Sequence, residues 1–410
     1  MRCKESLHDE KPLWYEESVR KEVAYFIFSA VCSSIIILSS EVKRGEDFLL
    51  EYWKRPIPPQ THRNVFSSYP EDCAQCHKEQ YNDWKRSLHS KAVGPGLIGQ
   101  LRPSEDPYFA ISCYLCHAPM EDQSEMKEAR GKRQEAEEYI KNPSFDNKLK
   151  LSGVSCSVCH LREGKMYGPP ARKRVSSKQL AVSSKKQNNH NGFVEKDFFE
   201  KAEFCAACHQ LNGGYELNGK LLVNTYREWE ESFYGKNNII CQNCHMPDRQ
   251  HLWRGIHDPD MVKKGITIDA RREDKKAKLT ITNAAVGHLF PTYATPLIVI
   301  KGFMLDKKGR IVQSSLKKAY IGRRVSLDLS EEFFDTRVAP QKTFEFDYTF
   351  SNSYNNHRLV FEVWIYPDEF YNRFYKALLK NKDDDFKRKE IAKALKITEG
   401  SGYRFFREVL

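Results

Sequence analysis

The sequence predicts an α+β chain in three parts: an N-terminal transmembrane helix, a stretch of short helices, and an antiparallel β-sandwich. Three observations carry this reading. Residues 23–40 contain no charged side chain. One five-residue motif occurs five times between residues 73 and 245. Near residue 265 the apolar period changes from helical to strand-like.

The first element is "VAYFIFSAVCSSIIILSS", 18 residues without charge. As a helix it would span about 27 Å, roughly a bilayer core. Trp14 and Tyr15 before it, and Trp53, Lys54 and Arg55 after it, suit the two membrane interfaces. A cleaved secretory signal is the competing reading. Against it, Glu5, Asp9, Glu10, Glu16 and Glu17 precede the run and no small-residue cleavage site follows. The organisation expected is therefore a cytoplasmic segment 1–22, an anchor 23–40 and an extended linker 41–62 containing "KRPIPPQ". Cys3 and Cys32 lie outside any motif and read as free thiols.

The repeated motif is C-x-x-C-H: Cys73, Cys76, His77; Cys113, Cys116, His117; Cys156, Cys159, His160; Cys205, Cys208, His209; and Cys241, Cys244, His245. Two thiols at this spacing reach two vinyl groups on one edge of a porphyrin and form thioethers. The adjacent histidine then brings its imidazole under the iron. A redox dithiol or a zinc knuckle has no need of a histidine directly after the second cysteine in every copy. The cofactor expected is haem c, five groups, covalently bound. The formal charge of +11 then carries no nucleic-acid signal, because five haems, propionates and iron together, bring about −5 to −10 in all.

Residues 63–262 form the expected haem domain. Its helices are short, as in "KEQYNDWKRSLHSKA" and in "TYREWEES", where Thr225 and Glu228 read as a capping box. "LNGGYELNGK" reads as a hairpin turning at Asn218–Gly219. The basic stretch 171–192 reads as a solvated excursion. With so little chain per haem, the porphyrins must supply much of the core. Residues 265–366 read as about seven strands of an immunoglobulin-like sandwich, with a turn at 306–309. Phe344, Phe346, Tyr348 and Phe350 share one strand face, as do Leu359, Phe361, Val363 and Ile365. Residues 367–410 read as two helices, the second stopped at Gly400, and a tail able to return as a strand.

Each iron has a second axial position, and a second histidine there makes a low-spin electron carrier. His8 falls on the cytoplasmic side, which leaves His62, His89, His190, His251, His257, His288 and His357 for five irons. "CAQCHKEQYNDWKRSLHSKA" resembles the haem motif and following S-x-H of the cytochrome c-554 type multihaem family. "GVSCSVCH" and "CQNCHMPDRQHLWRGIHD" resemble wider multihaem cytochromes related to hydroxylamine oxidoreductase, and "GHLFPT" resembles the start of a C-terminal β domain found in some of them. The resemblance, over about residues 65–365, implies axial roles for His89, His190, His251 or His257, and His288. All five are carried forward as ligand candidates, with His62 and His357 as poorer ones.

"AAVGHLFPT" supports His288 independently: Gly287 would let the backbone approach a porphyrin, Leu289 and Phe290 would pack on it, and Pro291 would stiffen the exit. The catalytic relatives differ from this chain. Pentahaem nitrite reductases carry a C-x-x-C-K motif and hydroxylamine oxidoreductases carry eight haems; here every motif ends in histidine and five exist. The function expected is non-catalytic electron transfer: a single-pass cytochrome on the outer, periplasmic face of the cytoplasmic membrane. It would connect a membrane quinol-oxidising complex or dehydrogenase with a periplasmic acceptor. The alternatives are a reductase of small nitrogen or sulfur compounds with one open iron, and a subunit of an extracellular cytochrome filament.

Overall fold

A computed structural model of the protein describes residues 68–101, 103–129, 139–162, 164–171, 190, 193–211, 213–274, 276–350, 357–380 and 385–410. The expected anchor 23–40, its flanks, Cys3, Cys32 and His62 lie outside the described residues, as does most of the excursion 171–192. Among the described residues no helix is long and apolar enough to cross a membrane.

The N-terminal region is built from short helices opened by fixed-φ or capping residues. Pro70 opens α1 (Pro70–Cys73), followed by α2 (Lys78–Arg86) and α3 (Pro95–Gln100), which also begins on proline. Asp106 caps α4 (Pro107–His117) by accepting from Phe109 N at 2.9 Å. Asp146 does the same for α5 (Asn147–Leu151). Next come α6 (Cys156–His160), α7 (Glu203–His209), α8 (Thr225–Glu230), α9 (Phe233–Lys236), α10 (Cys241–His245) and α11 (Pro259–Gly265).

Small sheets join these helices. β1 (Met126–Glu128) pairs with β2 (Tyr139–Lys141), and β3 (Leu161–Arg162), β4 (Lys165–Gly168) and β5 (Phe193–Glu195) form a second sheet. The hairpin β6 (Glu216–Leu217) and β7 (Lys220–Leu221) turns at Asn218 and Gly219, both with positive φ, as its sequence predicts. Apolar clusters here are small: Val93, Leu101, Ala110, Tyr114 and Ala118 form one, and Met120, Val158 and Leu161 another.

The sandwich contains eight strands where about seven were expected. β8 (Ile266–Glu273), β9 (Lys276–Asn283) and β13 (Thr343–Thr349) form one antiparallel sheet in the order β13-β9-β8. β10 (Leu297–Leu305), β11 (Lys317–Val325), β12 (Glu332–Asp335), β14 (Arg358–Tyr366) and β15 (Tyr403–Val409) form the other, ordered β12-β11-β10-β14-β15. The extra strand is the C-terminal tail, which pairs antiparallel with β14 and so extends the sandwich past residue 366. One cluster shared by both sheets fills the interior, with Leu279, Ile300, Met304, Ile321, Leu359, Phe361 and Val363 fully buried. Between β14 and β15, α12 (Glu369–Lys380) and α13 (Asp385–Glu399) fold back onto the haem-motif region. There Gly99 of α3 admits Ile391 so closely that a Cβ would sit 2.5 Å from its Cδ1.

Candidate haem centres

Four motif histidines end a helix. In α4, α6, α7 and α10 the C-x-x-C-H sequence forms the last turn and a half, so its two thiols share one face and the imidazole follows directly. In the first copy α1 ends at Cys73, and Cys76 and His77 lie in the turn before α2. The ten motif cysteines form no disulfides.

Histidines distant in sequence then meet in pairs. His77 faces His190 with ring centres 5.9 Å apart, and His160 faces His251 at 6.2 Å. His209 faces His89 at 6.2 Å, and His245 faces His288 at 6.4 Å. Two imidazoles bound to one iron at about 2 Å each place their ring centres about 6 Å apart. These four pairs fit that separation. His117 is faced by no second histidine ring among the described residues.

The free nitrogen of each ring is defined by its other nitrogen. His117 donates from Nδ1 to Ala92 O, His160 to Tyr167 O and His245 to Arg254 O, at 2.7–2.8 Å. On the opposite side, His251 donates from Nδ1 to Arg249 O and His288 to Leu289 O. His209 Nδ1 meets the Tyr293 hydroxyl at 2.5 Å. A carbonyl can only accept, so Nδ1 carries the proton and Nε2 keeps its lone pair, as metal binding requires. Burial pushes the imidazoles down, to about 3 for His89 and about 4 for His160, His209 and His288. They are therefore neutral at physiological pH, the form that ligates iron.

The motifs also adjoin one another. The Cys73 thiol lies against Cys156, Cys116 against Cys208, and Cys205 against Cys241, with Cys159 close to Cys205 and Cys208. The first site therefore neighbours the third, the third the fourth, and the fourth both the second and the fifth. Ser155 Oγ, next to Cys156, and Arg249 Nε, beside His251, are buried without a hydrogen-bond partner, which suits a group with polar arms of its own.

Some sequence expectations require correction. His257 places Nε2, the atom that would bind iron, 3.0 Å from Asp368 Oδ2, and no motif histidine faces it; of the His251/His257 alternatives, His251 is the one paired with a motif histidine. Gly287 lacks the left-handed φ that would explain it; a Cβ there would crowd Trp229 and Tyr234, so its smallness serves side-chain packing. Phe290, expected to pack on a porphyrin, is buried in the sandwich cluster. Thr225 and Glu228 form no capping box: Asn224 is the N-cap, and Glu228 turns into the β domain, where it bonds Thr292 and Arg337. Tertiary partners drew it away from the local use. His357 precedes β14 in the sandwich.

Residues 72–161 match the family model described as cytochrome c554 and c-prime. The cytochrome c-554 of Nitrosomonas europaea is 28% identical over 146 residues, which cover 33% of this chain and 54% of that protein. The chain resembles a multihaem c-type cytochrome. It spans about half the length of that curated relative. The fold extends further: a penta-heme cytochrome c552 from Thermochromatium tepidum superposes with a TM-score of 0.56 at 17% identity, covering 84% of this chain and 98% of the other. This chain thus joins a region resembling a multihaem cytochrome c to a C-terminal β domain. Tyr293 and Glu228, which belong to the environment of its fourth motif, carried no sequence signal, since nothing local links a loop tyrosine to a distant imidazole.

Proposed function

We propose that this cytochrome holds five haem c groups, one on each C-x-x-C-H motif, and relays single electrons along them. His77 and His190, His160 and His251, His209 and His89, and His245 and His288 are the axial pairs. One observation carries the proposal: four of the five motif histidines meet a second histidine at about 6 Å. Bound haem supplies the one-electron iron chemistry, and the chain's own residues orient the imidazoles, exclude water and set the order of the sites. Residues 23–40 anchor the protein, and the haem and immunoglobulin-like β domains lie on the periplasmic face. The partners are a membrane quinol-oxidising complex or dehydrogenase on one side and a periplasmic acceptor on the other.

The test is intact mass and low-temperature EPR of the full-length holoprotein. Five haem units, four of them low-spin, are expected. Fewer than five in matured protein, or a high-spin majority, would overturn the assignment.

A second reading has its own observation. Because no second histidine faces His117 among the described residues, that site would keep an open iron and could take a small nitrogen or sulfur compound. Turnover of nitrite or hydroxylamine, abolished with the high-spin signal in a Cys113→Ser, Cys116→Ser variant, would establish it. Absence of turnover with the signal present would remove it.

A further inference from the structure

Three motif histidines give their Nδ1 proton to main-chain carbonyls, those of Ala92, Tyr167 and Arg254. His209 is different, because its partner is a side chain from the β domain: the Tyr293 hydroxyl, in the loop between β9 and β10. The Tyr293 hydroxyl lies beside Thr225. Thr225 Oγ1 lies 2.9 Å from Thr292 Oγ1, and Thr292 donates to Glu228 Oε2 at 2.6 Å.

The direction of this chain follows from proton counting. Each hydroxyl has one proton, and a carboxylate can only accept. Thr292 gives its proton to Glu228, so Thr225 must donate to Thr292 and therefore accept from Tyr293. Tyr293, having donated to Thr225, accepts from His209 Nδ1–H. The hydroxyls all orient the same way and lead to one carboxylate, which polarises them cooperatively.

The terminal charge is held from both sides. Arg337 Nη1 lies 3.3 Å from Glu228 Oε1, the Leu289 N–H donates to Oε2 at 3.2 Å, and Asp335 pairs with the far side of Arg337. Glu228 and Arg337 side chains are 7% and 5% exposed.

We propose that Tyr293 is a positioning residue for the fourth haem site, through which the β domain sets that site's reduction potential. The inference rests on the reading of His209 as an axial ligand. A strong acceptor on Nδ1–H gives the imidazole anionic character and favours the oxidised iron. Removing the acceptor favours the reduced iron and raises the potential.

The experiment is a spectroelectrochemical titration, with parallel EPR, of the full-length holoprotein and its Tyr293→Phe and Thr292→Val variants. Tyr293→Phe should move one of the five one-electron steps upward by about tenfold in its equilibrium constant, ~59 mV for a one-electron couple. Thr292→Val should move the same step in the same direction by less, with haem content and low-spin count unchanged. A purely structural role would lower thermal stability and leave every step in place; unmoved steps beside an intact low-spin spectrum overturn the proposal. Should Tyr293→Phe fail to mature, Thr292→Val alone decides on the same criterion. Wild-type EPR reports separately on the ligand reading: fewer than four low-spin haems counts against the axial pairs, whereas unmoved steps with four low-spin haems count against Tyr293.

Discussion

Replacing His288 by alanine tests the link between the two domains most directly. His288 lies in the β9–β10 loop, and its ring faces His245 at 6.4 Å with the planes 10° apart. The loop does not depend on the imidazole for its position. Asn283 Nδ2 donates to the His288 carbonyl at 3.0 Å, and Glu228 accepts from Leu289 N at 3.2 Å. His288→Ala should therefore remove a ligand and keep the backbone. With four facing pairs in the wild type, the magnitude is one haem: four low-spin and one high-spin become three and two. The lost imidazole is replaced by water or by nothing, and either leaves a weak axial field. Low-temperature EPR quantifies the change, and intact mass should still report five haems because Cys241 and Cys244 are untouched. A spectrum that keeps four low-spin haems would refute the pairing of His245 with His288.

Three further outcomes follow from the packing. Arg337→Met should destabilise the folded protein by about 3–5 kcal/mol, because it leaves the buried Glu228 carboxylate without its cation and Asp335 with Lys220 alone; denaturant unfolding reads this, and a loss below about 1 kcal/mol would count against a shared buried network. Leu359→Ala should cost about 2–5 kcal/mol, since Leu359 is fully buried in the cluster common to both sheets, and the native haem spectrum should not change. The third concerns acid. Burial pushes the Asp335 carboxyl up, but hydrogen bonds from Arg337 and Lys220 outweigh it and hold the group well below its ordinary value. A depressed acid contributes stability that is present above its unfolded pKa of about 3.9 and is lost as pH falls below that. The thermal midpoint should therefore fall more steeply below about pH 4 in the wild type than in Asp335→Asn; parallel profiles would be the contrary result. Glu228, pushed up chiefly by burial and also by Asp335, acts in the opposite sense, and Asp335→Asn relieves part of that upward push.

The element types were readable because their signals are local. Alternation in "TFEFDYTF" places Phe346 and Tyr348 inward whatever packs above them, and both are buried in β13. Asn218–Gly219 makes the β6–β7 turn because these residues accept positive φ cheaply. Glu228 was misread for the converse reason. Its spacing from Thr225 suits a cap, but a cap is worth about 1 kcal/mol, and a buried cation in the docked β domain competes successfully for the same carboxylate.

The haem sites divide along the same line. Covalent attachment would need only five consecutive residues, so the sequence by itself determined the candidate haem sites and the histidine that would lie proximal in each. The facing histidine comes from chain that is adjacent only after folding: His190 from beyond α6, His89 from the turn after α2, and His288 from the β domain. Composition offered seven histidines for these positions, and nothing in their local sequence separates His251 from His257. Tertiary structure did so, by presenting one ring to His160 and giving the other's Nε2 to Asp368. An imidazole reaches only a few ångströms, so its partner is decided by where the backbone has been carried and by which acceptor occupies its second nitrogen.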